Sequence, residues 1–317
     1  MGPTASGKSA VALELARALN AGAASSGGRA SASAGADPCG VELVSMDSMQ
    51  VYRGMDIGTA KPSPAQQAEV PHHLIDVADP WDDWDMTRHA DAVNEVVADI
   101  EGRGRRALLV GGTGLYVQAV VDRLRPPGRW PEVAAELAAE PSTARLHRRL
   151  AELDPLAASR MEPNNRRRVL RALEVTLGSG RPFSTFGPGM GNYPETSWRL
   201  AGLWLPRAVV ARRIEERFDA MISEGLVQEV RALARFSASS FGLSRTARQA
   251  IGYKELFDYL DGTEALETAV ASAVARTRSF ARRQRVWWRR DPRVVWYGAA
   301  KNPLDIVPAL LGDWREP

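Results

Sequence analysis

The hydrophobic positions of the chain fall into short apolar runs and into longer stretches with helical spacing. Apolar runs at residues 41–46 and 107–110 predict two buried strands, and residues 198–205 predict a third. Residues 10–19 predict a helix, because Val11, Leu15 and Leu19 share one helical face. This alternation of strands and helices is typical of a parallel α/β core.

The middle of the chain has a different pattern. Helical periodicity dominates residues 126–177, with breaks at Pro141, Pro155 and Pro163, and a Gly/Pro-rich stretch follows at 178–194. We therefore predict a first core part at 1–125, a helical insertion at 126–195, and a second core part at 196–317 with basic C-terminal helices. The small, polar residues 21–40 predict a surface insertion without function.

Composition narrows the class of protein. Hydrophobic residues make up 44% of the chain and charged residues 25%, which is ordinary for a soluble protein. The sequence has no apolar run of membrane-spanning length and no secretion signal, so we expect a cytoplasmic protein without a membrane partner. A single cysteine, Cys39, and histidines without ligand spacing exclude a zinc cage, so any metal is expected to be Mg²⁺ that arrives with a phosphate.

The net charge of +3 hides an uneven distribution. Residues 1–122 carry 9 basic and 16 acidic side chains, whereas residues 123–317 carry 32 basic and 22 acidic ones. A concentrated positive field suits a polyanion partner. A solvated, arginine-rich surface would give the same numbers, and charge alone does not separate the two interpretations.

A phosphate-binding loop opens the chain. The pattern G-x-x-x-x-G-K-[ST] is matched without deviation by Gly2, Pro3, Thr4, Ala5, Ser6, Gly7, Lys8 and Ser9. Such a loop turns backbone N–H groups toward phosphate oxygens, while the lysine adds charge and the serine hydroxyl can reach a phosphate-bound Mg²⁺. A phosphate loop normally follows a buried strand, and we expect either a start codon assigned too late, which we favour, or a fold without that strand. Kinases, hydrolases and diphosphate-using transferases all remain open at this point.

The segment after the apolar run at 41–46 narrows the choice of reaction. Residues 47–62 read DSMQVYRGMDIGTAKP, and further motifs follow in order: PHHLID at 71–76, VGGTGLY at 110–116, NNRRRVLRALEV at 164–175, RIEERF at 213–218, QAIGYKE at 249–255 and RRQRVWWR at 282–289. Together they resemble the tRNA dimethylallyltransferase (tRNA isopentenyltransferase) family over nearly the whole chain. The resemblance implies a P-loop NTPase-like parallel sheet with a helical insertion domain.

The resemblance also implies a reaction: dimethylallyl diphosphate donates its prenyl group to N6 of the tRNA adenosine immediately 3′ to the anticodon. Diphosphate is released with the help of a diphosphate-bound Mg²⁺ ion, which the Ser9 hydroxyl contacts. No nucleoside triphosphate is consumed. The implied partners are the tRNA anticodon stem-loop and dimethylallyl diphosphate, and the protein is expected to be a monomer.

Three residues are candidates for the chemistry. Asp47, at the carboxyl end of a predicted strand, could accept the amine proton, although spacing alone equally allows a helix cap or a Mg²⁺-water ligand. Thr113 could bond the diphosphate or the base, or simply cap the next helix. Arg213 could clamp the diphosphate, or it could pair with Glu216 at the surface, as could Arg217. The resemblance favours the active-site role for Asp47, Thr113 and Arg213.

Two arginine clusters are candidates for RNA contact. Arg278, Arg282, Arg285 and Arg289 fall on one helical face with tryptophans between them, a combination that can follow phosphates and stack on bases. A second cluster lies at 166–171, and the tryptophans could equally be core. Where many relatives have an arginine after Pro-Glu-Val, this chain has Ala134, so that tRNA contact is predicted to be lost. The resemblance implies RNA contacts at Asp47, Ser48, Met49, Gln50, Thr113, Arg167, Arg168, Val169, Leu170, Arg171, Gln249, Ala250, Ile251, Gly252, Tyr253, Lys254, Arg282, Arg283, Gln284, Arg285, Val286, Trp287, Trp288 and Arg289.

Three other functions stay open. A small-metabolite kinase would need the phosphate loop but not the basic later part. A non-catalytic RNA-binding protein would bind RNA without turnover. A prenyltransferase for free adenine nucleotides would lack a use for the arginine clusters and the helical insertion.

Overall fold

The computed structural model describes residues 1–25, 40–187, 191–237 and 242–315, so most of the predicted 21–40 insertion, including Cys39, lies outside the described residues. The chain divides into two compact units. The first contains Met1–Arg123 and Thr196–Pro317, and the second is Leu124–Glu195.

Parallel strands form the centre of the first unit. Strands β1 (Val41–Ser45), β2 (His72–His73) and β3 (Arg106–Val110) make one parallel sheet in the order β2–β1–β3. Strands β4 (Leu200–Trp204) and β5 (Val294–Gly298) make a second parallel sheet. The three strands predicted from the apolar runs are thus confirmed as β1, β3 and β4.

Four helices accompany the first three strands along the chain: α1 (Lys8–Ser25), α2 (Pro64–Glu69), α3 (Met86–Gly102) and α4 (Gly114–Val121). The predicted apolar face of α1 is confirmed, because Val11 and Leu15 are buried. Helix α3 begins where the Asp85 carboxylate accepts hydrogen bonds from the backbone N–H groups of Thr87 and Arg88.

The second unit is helical. It contains α5 (Pro131–Ala138), α6 (Thr143–Leu153), α7 (Pro155–Ser159) and α8 (Arg166–Ser179). The predicted breaks at the three prolines are confirmed, since each proline lies between helices or opens one. Leu146, Leu150, Val169 and Leu173 form the centre of its core.

The remaining helices return to the first unit: α9 (Arg207–Ser223), α10 (Leu226–Ser237), α11 (Arg245–Arg248), α12 (Tyr253–Leu260), α13 (Leu266–Trp288) and α14 (Val307–Arg315). Val11 of α1, Leu203 of β4, Ile214 and Phe218 of α9, and Ala281 of α13 share one hydrophobic core. Burial of these side chains brings α9 and α13 against the start of α1, which is where the phosphate loop ends. Among the described residues, no helix is both long and apolar enough to cross a membrane.

Candidate active site

The phosphate loop wraps the start of α1. Ala5 and Gly7 have φ angles of 58° and 84°, and these left-handed residues curl the backbone immediately before Lys8. Burial lowers the pKa of the Lys8 ammonium from 10.5 to about 8; the Asp47 carboxylate opposes this shift and Arg217 adds to it. The loop therefore holds a poorly hydrated cation at a helix N-terminus, an arrangement suited to a phosphate group.

Helix α9 adds two guanidinium groups to this loop. Arg213 Nε donates to the Ala5 carbonyl at 3.0 Å, and Arg217 Nη2 donates to Thr4 Oγ1 at 3.1 Å. Burial lowers the pKa of Arg217, with Asp47 opposing and Arg213 contributing. The Nε of Arg217 is buried and bonds to none of the described residues. A buried donor without a partner is costly, so this atom is placed to bind an anion in the loop.

The alternative surface pairing of these arginines is wrong. Glu216 pairs instead with Arg212, 3.2 Å away on the outer face of α9. Arg213 and Arg217 are four residues apart and share the inner face. Sequence reasoning missed Arg217 as a site residue, although its spacing from Arg213 was a signal that could have found it.

Asp47 lies at the carboxyl end of β1. Its Oδ1 accepts from the Met49 N–H at 2.9 Å, and its own N–H donates to Ser45 Oγ at 3.3 Å. Oδ2 bonds to none of the described residues. The residue before Asp47, Met46, donates its N–H to the Val110 carbonyl at 2.9 Å and lies against Gly111, while Gly112 lies against the Gly2 carbonyl of the phosphate loop. The Asp47 carboxylate is thus beside the phosphate loop, and its charge opposes the lowering of the pKa of both Lys8 and Arg217. A carboxylate there can accept a proton while an anion is held by the loop.

The end of β3, the strand that pairs with β1, forms a neighbouring wall of the site. Gln284 of α13 joins this wall to the phosphate loop, since its Nε2 donates to the Gly112 carbonyl at 2.8 Å and its Oε1 accepts from the Thr4 N–H at 2.7 Å. A Cβ at Gly112 would lie 2.6 Å from the Gly2 carbonyl oxygen, so only glycine allows this approach. Thr113 occupies the N-cap position of α4, but its hydroxyl makes no capping hydrogen bond and is available to the site.

The predicted RNA-binding residues fall into buried, half-buried and exposed groups. Several predicted contacts are buried, so direct RNA contact does not fit their positions: Val169, Ala250, Gly252, Tyr253, Gln284, Arg285 and Trp288. Arg285 donates to the Leu205 carbonyl and its guanidinium lies 3.2 Å from the Trp204 ring centroid. The exposed members are Arg167, Arg168, Gln249, Lys254, Arg282, Arg283, Val286 and Arg289.

Two half-buried members have their polar groups occupied by protein. Arg171 pairs with Glu174 at 2.8 Å and donates to the carbonyls of Pro127 and Gly128. Gln50 uses both ends of its amide, on Ser45 and on the carbonyls of Thr59 and Ala60. The remaining half-buried members are Asp47, Ser48, Met49, Thr113, Leu170, Ile251 and Trp287.

No group of three or more His, Cys, Asp or Glu residues that could hold a metal ion occurs in the described ranges of the chain. Ser9 is exposed in the first turn of α1, next to Lys8, and presents a hydroxyl. Such a site fits an ion held largely by a bound diphosphate and water rather than by a protein cage.

Comparison with known proteins gives the family. A model of the IPP transferase family matches residues 50–291. The chain is 43% identical to the tRNA dimethylallyltransferase of Desulforudis audaxviator, over 98% of this chain and 95% of that protein. It is similar to the crystal structure of the full-length tRNA isopentenylpyrophosphate transferase from Bacillus halodurans, with a TM-score of 0.65, 36% identity, and coverage of 98% and 94%.

A eukaryotic dimethylallyltransferase acting on tRNA has the same fold, with a TM-score of 0.73 at 24% identity over 94% of this chain and 72% of that one. These neighbours confirm the predicted P-loop NTPase-like α/β fold. The family match over most of the chain and the near-full-length identity agree with each other and with the phosphate loop beside Asp47. The chain therefore belongs to the tRNA dimethylallyltransferase (IPP transferase) family.

Proposed function

We propose that this protein transfers the dimethylallyl group of dimethylallyl diphosphate to N6 of a tRNA adenosine, the one immediately 3′ to the anticodon, and releases diphosphate. The observation that carries the proposal is the Asp47 carboxylate beside the cations of the phosphate loop. The names of its relatives support the choice of tRNA and of the prenyl group.

The phosphate loop and α9 bind the leaving group. The free backbone N–H groups of the phosphate loop, together with Lys8, Arg213 and Arg217, would bind the diphosphate. As the C1–O bond of the donor breaks, its electron pair goes to the diphosphate oxygen. The cations stabilise that growing negative charge, and they do so strongly because the site is poorly hydrated.

Asp47 acts on the acceptor. The adenine N6 nitrogen forms the new bond to C1, and the proton that it loses goes to the Asp47 carboxylate. The adenine must leave its stack to reach this position, as in other enzymes that act on a single base. The Thr113 hydroxyl, which is not used as a cap, orients the amine or the diphosphate.

Magnesium has a limited role in this proposal. The Ser9 hydroxyl would hold a Mg²⁺ ion that is already bound to the diphosphate, and the ion would neutralise part of the leaving group's charge when bound. The phosphate loop is used to bind diphosphate, and no nucleoside triphosphate is consumed.

The test incubates the purified protein with labelled dimethylallyl diphosphate, Mg²⁺ and unmodified tRNA, with AMP and ATP as alternative acceptors. We expect label in tRNA alone, at the adenosine next to the anticodon. Label in AMP or ATP would favour a prenyltransferase for free nucleotides, and phosphoryl transfer from ATP would favour a kinase. RNA binding without any prenylated product would indicate a non-catalytic RNA-binding protein. Each of these results would refute the proposal.

A further inference from the structure

The loop at residues 56–61 is fastened to the protein by a carboxylate from a distant helix. Glu229 of α10 accepts hydrogen bonds from three successive backbone N–H groups, those of Asp56 at 2.9 Å, Ile57 at 2.8 Å and Gly58 at 3.2 Å. Bonds to a charged acceptor are roughly twice as strong as neutral ones. Glu229 thus holds the first half of the loop in one conformation.

Tyr253 of α12 completes this clamp. Its hydroxyl donates to Glu229 Oε1 at 2.6 Å, and its ring is fully buried. The ring packs so closely on Gly58 that a Cβ at that position would overlap it. The tyrosine therefore fixes both the carboxylate and the loop that the carboxylate binds.

Lys61 fastens the second half of the loop. Its side chain is only 4% exposed, and Nζ donates to Asp76 Oδ1 at 2.6 Å, Asp56 Oδ1 at 2.5 Å and the Tyr52 carbonyl at 2.8 Å. Two carboxylates compensate the buried ammonium. The loop is consequently fixed at both ends by charged groups.

A short hydrogen-bonded path connects this loop to the catalytic carboxylate. The carbonyls of Thr59 and Ala60 accept from Gln50 Nε2 at 3.2 and 3.1 Å. Gln50 Oε1 accepts from Ser45 Oγ at 3.0 Å, and the same Ser45 oxygen accepts from the Asp47 N–H at 3.3 Å. A displacement of the loop would therefore reach the backbone of Asp47 through two side chains.

We propose that Glu229 and Tyr253 are positioning residues, which hold the 56–61 loop so that Gln50 and Ser45 orient Asp47 for proton acceptance. This inference rests on the proposed function and assigns a role to two residues that do not touch the phosphate loop. It also gives Tyr253, which resemblance placed against tRNA, a role that fits its burial.

Two substitutions test the clamp with little change of shape. Glu229→Gln replaces one acceptor oxygen by an NH₂ group, which would face N–H or O–H donors, so part of the four-donor arrangement must break. Tyr253→Phe keeps the ring on Gly58 and removes only the hydroxyl. Tyr259→Phe, on the same helix, is the matched control.

We expect kcat to fall about ten- to hundredfold in Glu229→Gln and Tyr253→Phe, because a small misplacement of a catalytic group has effects of that size. The KM for dimethylallyl diphosphate and the Kd for tRNA should stay within about twofold, and Tyr259→Phe should match the parent. A loss of tRNA affinity in Tyr253→Phe with unchanged kcat would show direct RNA contact and overturn the proposal. If kcat, KM and the melting temperature all change together, Glu229 and Tyr253 only stabilise the fold, and the positioning role is refuted.

Hydrogen exchange provides a readout that does not depend on turnover. Peptides covering residues 47–61 should exchange faster in Glu229→Gln and Tyr253→Phe than in the parent or in Tyr259→Phe. Unchanged exchange there would overturn the clamp even if prenyl transfer is confirmed. Faster exchange in the two variants, combined with a parent protein that makes no prenylated tRNA, would support the clamp and refute the proposed function instead.

Discussion

Asp47 is the residue on which the proposed chemistry depends most directly. Its Oδ1 is held by the Met49 N–H, while Oδ2 has no bond to the described residues. This division suits a base, because one oxygen fixes the orientation of the carboxylate and the other can accept a proton. The helix-cap alternative is wrong, because a turn follows Asp47 and the next helix begins only at Pro64; the base role stays a prediction.

Asp47→Ala and Asp47→Asn should both lower kcat by about 10²–10⁴-fold, which is the usual contribution of a general base. The asparagine variant keeps the shape and the bond to Met49 but cannot accept the proton. Measured Kd values for tRNA should stay within about twofold of the parent. If Asp47→Asn keeps full turnover, the carboxylate is not the base.

Arg217 is the second residue with a specific expectation. Arg217→Gln should lower kcat/KM for dimethylallyl diphosphate by about 10²-fold, because it removes a cation from the poorly hydrated leaving-group site. Arg212→Gln, on the outer face of the same helix, is the control and should be nearly neutral. Steady-state kinetics with saturating tRNA make the comparison, and equal losses in both variants would contradict the assignment.

At the scale of elements, β1 connects the core to the site. Glu42 lies in this strand, is 2% exposed, and binds Arg103 through both carboxylate oxygens at 2.6 and 3.0 Å. His73 of β2 bonds the same carboxylate at 2.6 Å, and Arg105 lies 2.9 Å away. His73 therefore has a structural role at this position. The network joins β1 to β2 and to the segment before β3.

Glu42→Gln should lower the free energy of unfolding by about 1–3 kcal/mol, because it leaves buried donors facing a weaker partner. Asp99→Asn removes the exposed partner of Arg103 and should cost less than about 0.5 kcal/mol. Urea denaturation at neutral pH measures both values. Equal losses would show that burial of Glu42 has no special effect.

The same carboxylate predicts a pH dependence. Hydrogen bonds from Arg103 lower the pKa of Glu42 from 4.5 to about 2, with burial opposing and His73 contributing. Because the folded pKa is below the unfolded one, the stabilisation is complete above about pH 4.5 and is lost as the pH falls toward 2. Between pH 5 and 2.5, the free energy of unfolding should therefore fall less with decreasing pH in Glu42→Gln than in the parent. Identical pH profiles would exclude this assignment.

At the scale of the whole molecule, the basic excess of residues 123–317 overstates the free positive charge. Arg278 pairs with Glu215, and Arg276 pairs with Glu255. These acids belong to α9 and α12, which are other helices. The sequence around Arg276 and Arg278 has no acidic residue, so it did not reveal the two pairs. The exposed arginines remain the candidates for phosphate contact.

Arg167 and Arg168 at the start of α8 are exposed and are expected to contact the tRNA backbone. Substituting either by alanine should weaken tRNA binding and reduce the slope of log Kd against log salt by about 1 for each lost phosphate contact. The KM for dimethylallyl diphosphate should not change. Arg17→Ala, whose arginine pairs with Glu69, is the control, and an unchanged slope in the α8 variants would refute the contact.

The sequence by itself determined the local elements and the identity of the chemistry. Strands β1, β3 and β4, the proline breaks and the phosphate loop depend on neighbouring residues, so periodicity and spacing predict them. The motif beginning at Asp47 identified the family for the same reason, since its residues are contiguous.

Only the tertiary structure decided which long side chains face inward. Burial of Arg217 in the site, of Gln284 between the phosphate loop and Gly112, and of Tyr253 against Glu229 depends on contacts between residues far apart in the chain. Motif membership placed Gln284 and Tyr253 on RNA because a motif records that a residue matters, not which way it points. Packing between helices sets that direction, and the order of residues along one helix does not contain it.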